Sequence, residues 1–164
     1  MTSRKLILSR SLWTATWDGL KQRGDGKRES ACVWVGTREE SVERALHTIF
    51  LDDLPGTKGR PLQHRTSREA VVALLSQARE LGMVIVCDLH THPASWVDLS
   101  FVDQAHPIEY RVGLLALVLP DFATGSPDLT STGVHEYAGE GRWRTMHGDD
   151  AARRVCIVDG GDDE

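Results

Sequence analysis

Cysteine is scarce in this chain, and none of it is paired by spacing. Cys32, Cys87 and Cys156 are three in 164 residues, an odd number without a C-x-x-C, so neither a disulfide framework nor a cysteine-built zinc site is indicated. Cys32 and Cys87 stand inside apolar runs and read as small core residues. Long apolar runs are missing too. Nothing approaches the roughly 20 residues of a membrane-spanning helix, and Leu6-Ile-Leu8 is too short for the core of a signal peptide. The expectation is a cytoplasmic protein with no membrane partner. Positive charge is in deficit: 19 Lys and Arg stand against 24 Asp and Glu, a net charge of -5. A nucleic-acid partner is argued against, because phosphate contacts need a surplus of cations. The H-x-E and P-C-x-x-C signature of zinc deaminases is also missing, and no internal repeat or domain linker is visible.

What remains is an ordinary globular composition, 40% hydrophobic and 26% charged. One domain is expected over residues 1–150, long enough to bury about two-thirds of its unfolded surface. An acidic tail is expected over 151–164, ending Asp159-Gly-Gly-Asp-Asp-Glu164 and reading as disordered.

Residues 5–8 read as a short strand and Leu12–Gln22 as a helix capped by Ser11, with Leu12, Thr16 and Leu20 on one face and Trp13 and Trp17 beside it. Residues 23–28 are a turn by composition. Glu29 opens a buried strand that runs to Val35 and is closed by Gly36. A second strand covers Arg44–Phe50. Residues 52–65, with Pro55, Gly56, Gly59 and Pro61, form a loop. Thr66-Ser-Arg-Glu69 has the pattern of a capping box, opening a helix whose apolar face is Val71, Leu74, Leu75, Ala78 and Leu81 and which stops at Gly82. Met83–Leu89 and Tyr110–Leu119 are buried strands. Val134–Tyr137 and Trp143–Met146 form a closing hairpin. Strands outnumber helices, which gives an α+β domain with a mixed or antiparallel sheet.

The chemistry concentrates at Asp88-Leu89-His90-Thr91-His92-Pro93, followed by Ser100 and Asp103. Side chains alternate along a strand, so His90 and His92 point to one side. Pro93 ends the strand, and a helix beginning at Ser100 would bring Asp103 back to the imidazoles. Two imidazoles and a carboxylate with one open position are a ligand set of catalytic zinc. The plain alternative stays open on this reading: Ser100-Phe-Val-Asp103 also satisfies a capping box. Asp88 and Thr91 read as facing away from the pair. His106 reads as a helix-end residue before Pro107, and Trp96 as a groove wall or as packing over the site. His47, His64, His135 and His147 have no partner that can be named. Glu39, Glu40 and Glu43 lie in a charged stretch that looks exposed, whereas Glu29 directly precedes an apolar strand.

The string His90-Thr91-His92-Pro93 with Ser100 and Asp103, preceded by Glu29-Ser-Ala-Cys-Val-Trp-Val-Gly36, resembles the JAMM motif of the JAB/MPN metalloprotease family. That motif is a glutamate, then H-[ST]-H-P, then serine and aspartate at the spacing seen here. The resemblance spans roughly residues 5–146. Val118–Phe122, Gly133–Tyr137 and Trp143 look like the bacterial, deubiquitinase-like members that accompany ubiquitin-like conjugation genes. It implies the MPN/JAB fold, which is of cytidine-deaminase-like architecture. It implies one Zn²⁺ per chain on His90, His92 and Asp103, with Glu29 as general base and Ser100 as hydrogen-bond donor to the oxyanion. The implied partner is a ubiquitin-like protein or its conjugate, with the associated activating and conjugating enzymes, and the implied reaction is cleavage after that protein's C-terminal glycine. A zinc amidase releasing an amino acid or small peptide from a carrier protein is the alternative task for such a site. A non-catalytic binding scaffold is a further alternative, against which the complete residue set argues.

Overall fold

A computed structural model describes residues 4–57 and 67–160. Among them one mixed sheet is built from β1 (Lys5–Ser9), β2 (Ala31–Arg38), β3 (Val42–Phe50), β4 (Val84–Thr91), β5 (Leu115–Leu119), β6 (Gly133–Gly139), β7 (Arg142–Met146) and β8 (Val155–Val158). Their order across the sheet is β7-β6-β5-β4-β2-β3-β1-β8. Four α-helices accompany it: α1 (Arg10–Gly24), α2 (Arg68–Glu80), α3 (Phe101–Ala105) and α4 (Gly148–Arg154). The fold is α+β, as the element order predicts.

The sheet is covered on both faces, because β2 is buried from Ala31 through Gly36. Alternation sends Cys32 and Trp34 to one side, where Trp13, Trp17 and Leu20 of α1 meet them. Val33 and Val35 go to the other side, against Ala70, Leu74 and Ala78 of α2. α1 turns toward the sheet along Trp13, Thr16, Trp17 and Leu20, one stripe of a 3.6-residue period. Trp34 donates its indole N–H to Thr16 Oγ1 at 2.9 Å, so the polar atom of this buried ring has a partner inside the core. Burial pushes the Cys32 and Cys87 thiols well up, which fits small core residues and not ligands or nucleophiles.

Several boundaries differ from the sequence reading. The cap of α1 is Ser9, whose Oγ accepts from Leu12 N, because the helix starts two residues before Leu12. The cap of α2 is Ser67, which accepts from Ala70 N; Thr66 lies outside the described residues, as does 58–65 of the expected loop. β2 starts at Ala31 and runs on past Gly36 to Arg38. A Cβ at Gly36 would lie 1.7 Å from Arg44 O, so glycine marks a close crossing of β3 and not a strand end. β5 starts at Leu115, not Tyr110, because a turn in which Leu114 N bonds Arg111 O precedes it.

The expected tail beginning at 151 is overturned. α4 extends to Arg154 and β8 follows, pairing in parallel with β1 from Leu6↔Val155 to Ser9↔Val158. Four consecutive apolar residues supply a strand, and the buried Arg154 anchors it by donating to Glu136 Oε2 at 2.8 Å and to Gly113 O at 2.9 Å. Asp159 pairs with Arg10. Residues 161–164 lie outside the described residues.

For the site, the decisive pairing is β4 with β5. It is parallel, and a parallel pair needs a crossover rather than a tight turn. That crossover leaves the carboxyl end of β4 at His92 and carries α3.

Candidate metal centre

β4 delivers His90 as its penultimate residue, and His92 follows one residue after the strand. The His92 position is held by backbone bonds to its neighbours, with His92 N donating to Leu119 O at 2.9 Å and Phe122 N donating to His92 O at 2.8 Å. Thr91 points the other way, as expected from alternation. Its Oγ1 accepts from Ser30 N at 3.0 Å, and its own N–H donates to Ser30 O at 3.0 Å. The residue between the two histidines is thereby pinned to the residue after Glu29.

α3 closes the arrangement. Ser100 Oγ accepts from Asp103 N at 3.1 Å, and Asp103 Oδ2 accepts from Ser100 N at 2.8 Å. The capping box is real, and it is also what aims the carboxylate, so the two readings of Ser100-Phe-Val-Asp103 describe one device. Asp103 Oδ2 lies 3.2 Å from His90 Nε2 and 3.2 Å from His92 Nε2, and the two nitrogens are 3.1 Å apart.

That triangle can be tested against a metal. Three ligand atoms about 2.0–2.1 Å from one ion, at tetrahedral angles, stand roughly 3.3 Å apart. The edges here fall just inside that spacing, and the donor set leaves a fourth vertex open. His90, His92 and Asp103 therefore fit a divalent cation. The local field favours one. Burial opposes charge on both Asp103 and His90, yet bonds from His90, His92 and the Ser100 amide hold the Asp103 carboxyl far below the usual carboxylate range. On His90 the same burial is outweighed by Asp103, with Asp88 and Glu29 adding, and its proton affinity rises. A position that draws a proton this way also draws a cation.

His92 is oriented as a ligand should be. Its Nδ1 donates to Trp96 O at 3.0 Å, which leaves the Nε2 lone pair for the cluster. The Trp96 indole stacks on the imidazole at 4.8 Å and 15°. Trp96 thus packs over a ligand with one face, while half of it is exposed.

A cavity of about 410 Å³ opens beside the triangle, with His90 and Asp103 in its wall alongside Leu51, Val71 and Ala116. Asp88 lines it as well, which corrects the expectation that Asp88 faces away. Residues 88 and 90 are two apart on a strand and share a side. His106 ends α3 and lines the same cavity. Glu29 precedes β2 by two residues, and its charge acts on His90. The β2–β4 register sets Ala31 against His90, so this end of β2 is the end next to the cluster. Glu43, expected to be exposed, is 1% exposed and binds Arg38 and Arg111. One residue that sequence reasoning left without a partner, His135, proves to be buried and bonded to Val97 O.

No family model matches the chain. A curated relative, the probable metalloprotease y4jG of Sinorhizobium fredii, is 21% identical over 94% of this chain and 95% of its own length. The resemblance to metalloproteases is borne out. The cluster and this relative together support a metallopeptidase in general terms, with His90, His92 and Asp103 forming a group that could hold a metal ion. The solution structure of protein DSY2949 from Desulfitobacterium hafniense shares the fold, with a TM-score of 0.66 at 13% identity over 96% of this chain and 95% of that one. The crystal structure of AF2198, a JAB1/MPN domain protein from Archaeoglobus fulgidus, aligns at a TM-score of 0.46 and 16% identity, over 90% of this chain and 96% of that one. Among the described residues no helix is long and apolar enough to cross a membrane.

Proposed function

We propose that this chain is a JAMM-type zinc metallopeptidase that cuts after the C-terminal glycine of a ubiquitin-like protein, from a conjugate or from a precursor, in the cytoplasm. The observation that carries the reading is the triangle of two imidazole nitrogens and one carboxylate oxygen, spaced at 3.1–3.2 Å, with His90 and Asp103 in the wall of a cavity. Two histidines and a carboxylate with an open position are a catalytic zinc set, unlike the closed four-ligand sets of structural zinc.

Zinc held by His90, His92 and Asp103 would lower the pKa of a bound water toward neutrality and polarise a carbonyl. The chain's own residues supply the rest. Glu29 takes the proton of the attacking water and passes it to the departing amine. Ser100 accepts the Asp103 amide through one lone pair of Oγ, and its O–H can donate to the oxyanion. An extended tail lying beside the cluster would gain affinity through backbone hydrogen bonds. Leu51 and Leu99 then serve as groove walls.

The test is metal analysis of the purified chain, followed by incubation with bacterial ubiquitin-like proteins. Linear fusions and lysine conjugates are compared, each with and without a chelator. About one zinc per chain is expected from the ligand count, together with chelator-sensitive release of the ubiquitin-like protein. A chain that is fully active without metal would end the metallopeptidase reading. Release of single amino acids from a carrier, with no action on ubiquitin-like substrates, would replace the substrate and leave the metal centre standing.

Ser100→Ala separates the two duties of that residue. Losing the oxyanion donor should lower kcat by about a hundredfold or more, with KM little changed because the bond forms mainly in the transition state. Losing the cap should cost only about 1 kcal/mol of stability in a thermal melt.

A further inference from the structure

We infer that His135 is a positioning residue of the metal centre: from β6 it clasps the segment between His92 and Asp103 and so holds His92 in its ligating geometry. The inference rests on the metal reading above.

His135 stands two strands from β4 in the sheet order, is 1% exposed and belongs to no ligand set. Both ring nitrogens are engaged. Nε2 lies 2.9 Å from Val97 O, and Nδ1 lies 2.8 Å from Thr145 Oγ1. A carbonyl can only accept, so Nε2 carries the proton and Nδ1 accepts from the threonine hydroxyl. Burial holds the proton affinity of this imidazole down, in keeping with one nitrogen donating and the other accepting.

The approach of Val97 is built into the strand. A Cβ at Gly133 would sit 2.1 Å from Val97 O and 2.8 Å from His135 Nε2. Only glycine lets that carbonyl reach the imidazole. The neighbouring carbonyl, Trp96 O, accepts from His92 Nδ1. Two successive carbonyls are thus held, one by His92 and the next by His135.

The other end of the segment is fastened separately. Asp121, Phe122 and Ala123 form a turn with φ of 52°, 55° and 58°, a left-handed conformation that L residues adopt only under outside constraint. Asp121 N donates to Ala94 O at 3.0 Å, and Phe122 N to His92 O. Residues 92–97 are fixed by this turn at one end and by His135 at the other. Without His135 the Val97 carbonyl loses its partner, the Trp96–Val97 backbone is free to shift, and His92 loses the acceptor that selects its tautomer.

The experiment uses the whole chain with His135→Phe, which fills the ring space without donors, and His135→Gln, whose amide N–H can still reach Val97 O. Zinc affinity is measured by competition with a chromophoric chelator, and the His92 tautomer by nitrogen-15 NMR of the metal-free protein. His135→Phe should weaken zinc binding by about ten- to a hundredfold and mix the His92 tautomers. His135→Gln should restore affinity to within a few-fold of wild type. If His135→Phe fails to fold, Thr145→Val, which keeps the imidazole and removes its Nδ1 partner, should still weaken zinc binding several-fold. Wild-type zinc affinity and a single His92 tautomer in folded His135→Phe, or in Thr145→Val where His135→Phe does not fold, would overturn the clasp and leave the metal centre intact. A wild-type chain that binds no zinc overturns the centre itself.

Discussion

His92→Ala is expected to abolish both metal binding and peptidase turnover. The substitution removes one vertex of a triangle whose edges are 3.1–3.2 Å, leaving one imidazole and one carboxylate. Lewis-acid stabilisation is worth several kcal/mol, so turnover should fall by roughly a thousandfold or more. A second measurement reads the same loss without any substrate. A ligand that binds only the folded chain stabilises it by about 2.7 kcal/mol at a hundred times its Kd, and for a domain of this size that raises Tm by about 5–10 °C. Wild type should show this rise on zinc addition, and His92→Ala should melt at the same temperature with and without zinc. The substitution also removes the Trp96 stack and the bond to Trp96 O, so its metal-free Tm should be somewhat below that of wild type. A zinc-dependent rise that survives in His92→Ala would place the metal elsewhere.

The parts of the fold and site written in short-range pattern were legible in the sequence. Period-two alternation put His90 and His92 on one side, the capping box returned Asp103 to them, and the apolar stripe of α2 gave Leu74 and Ala78 of its buried face, although Leu75 and Leu81 of that stripe stand exposed and Ala70 takes their place. The same alternation, followed strictly, also puts Asp88 on the His90 side, where it lines the cavity. What stayed hidden depends on partners far away in the chain. Val155–Val158 is four residues beside an acidic run, and it becomes a strand only because β1 offers an edge and Arg154 finds Glu136. Glu43 reads as a surface charge until Arg38 and Arg111 arrive from other elements. His135 reads as one histidine among several, because its partner Val97 is 38 residues away. A local signal did exist in Gly133, where a glycine at a strand start marks a close backbone approach, but the signal does not name what approaches.

Glu29→Gln should do the reverse of His92→Ala, keeping the metal and losing the reaction. Six glutamates precede the motif; Glu29, Glu39, Glu40 and Glu43 lie on or beside β2 and β3, and the sheet separates these four. Glu43 pairs with Arg38 and Arg111, and these arginines also bond Ile85 O, near the start of β4. His90 lies at the other end of that strand. Glu39 and Glu40 stand between β2 and β3, at the Arg38 end of β2. Of these four, Glu29 alone is at the Ala31 end, where β2 faces His90. The Ser30–Thr91 bonds tie its neighbour to the residue between the histidines. Glutamine keeps the shape of the side chain and removes its charge and basicity. Zinc content should therefore stay at the wild-type level, and KM should change little. A general base contributes about 10²–10⁴ in rate, so kcat should fall within that range. Full zinc with unimpaired turnover would take the base role from Glu29. The next carboxylate to replace would be Asp88, because it shares the cavity wall with His90 and Asp103.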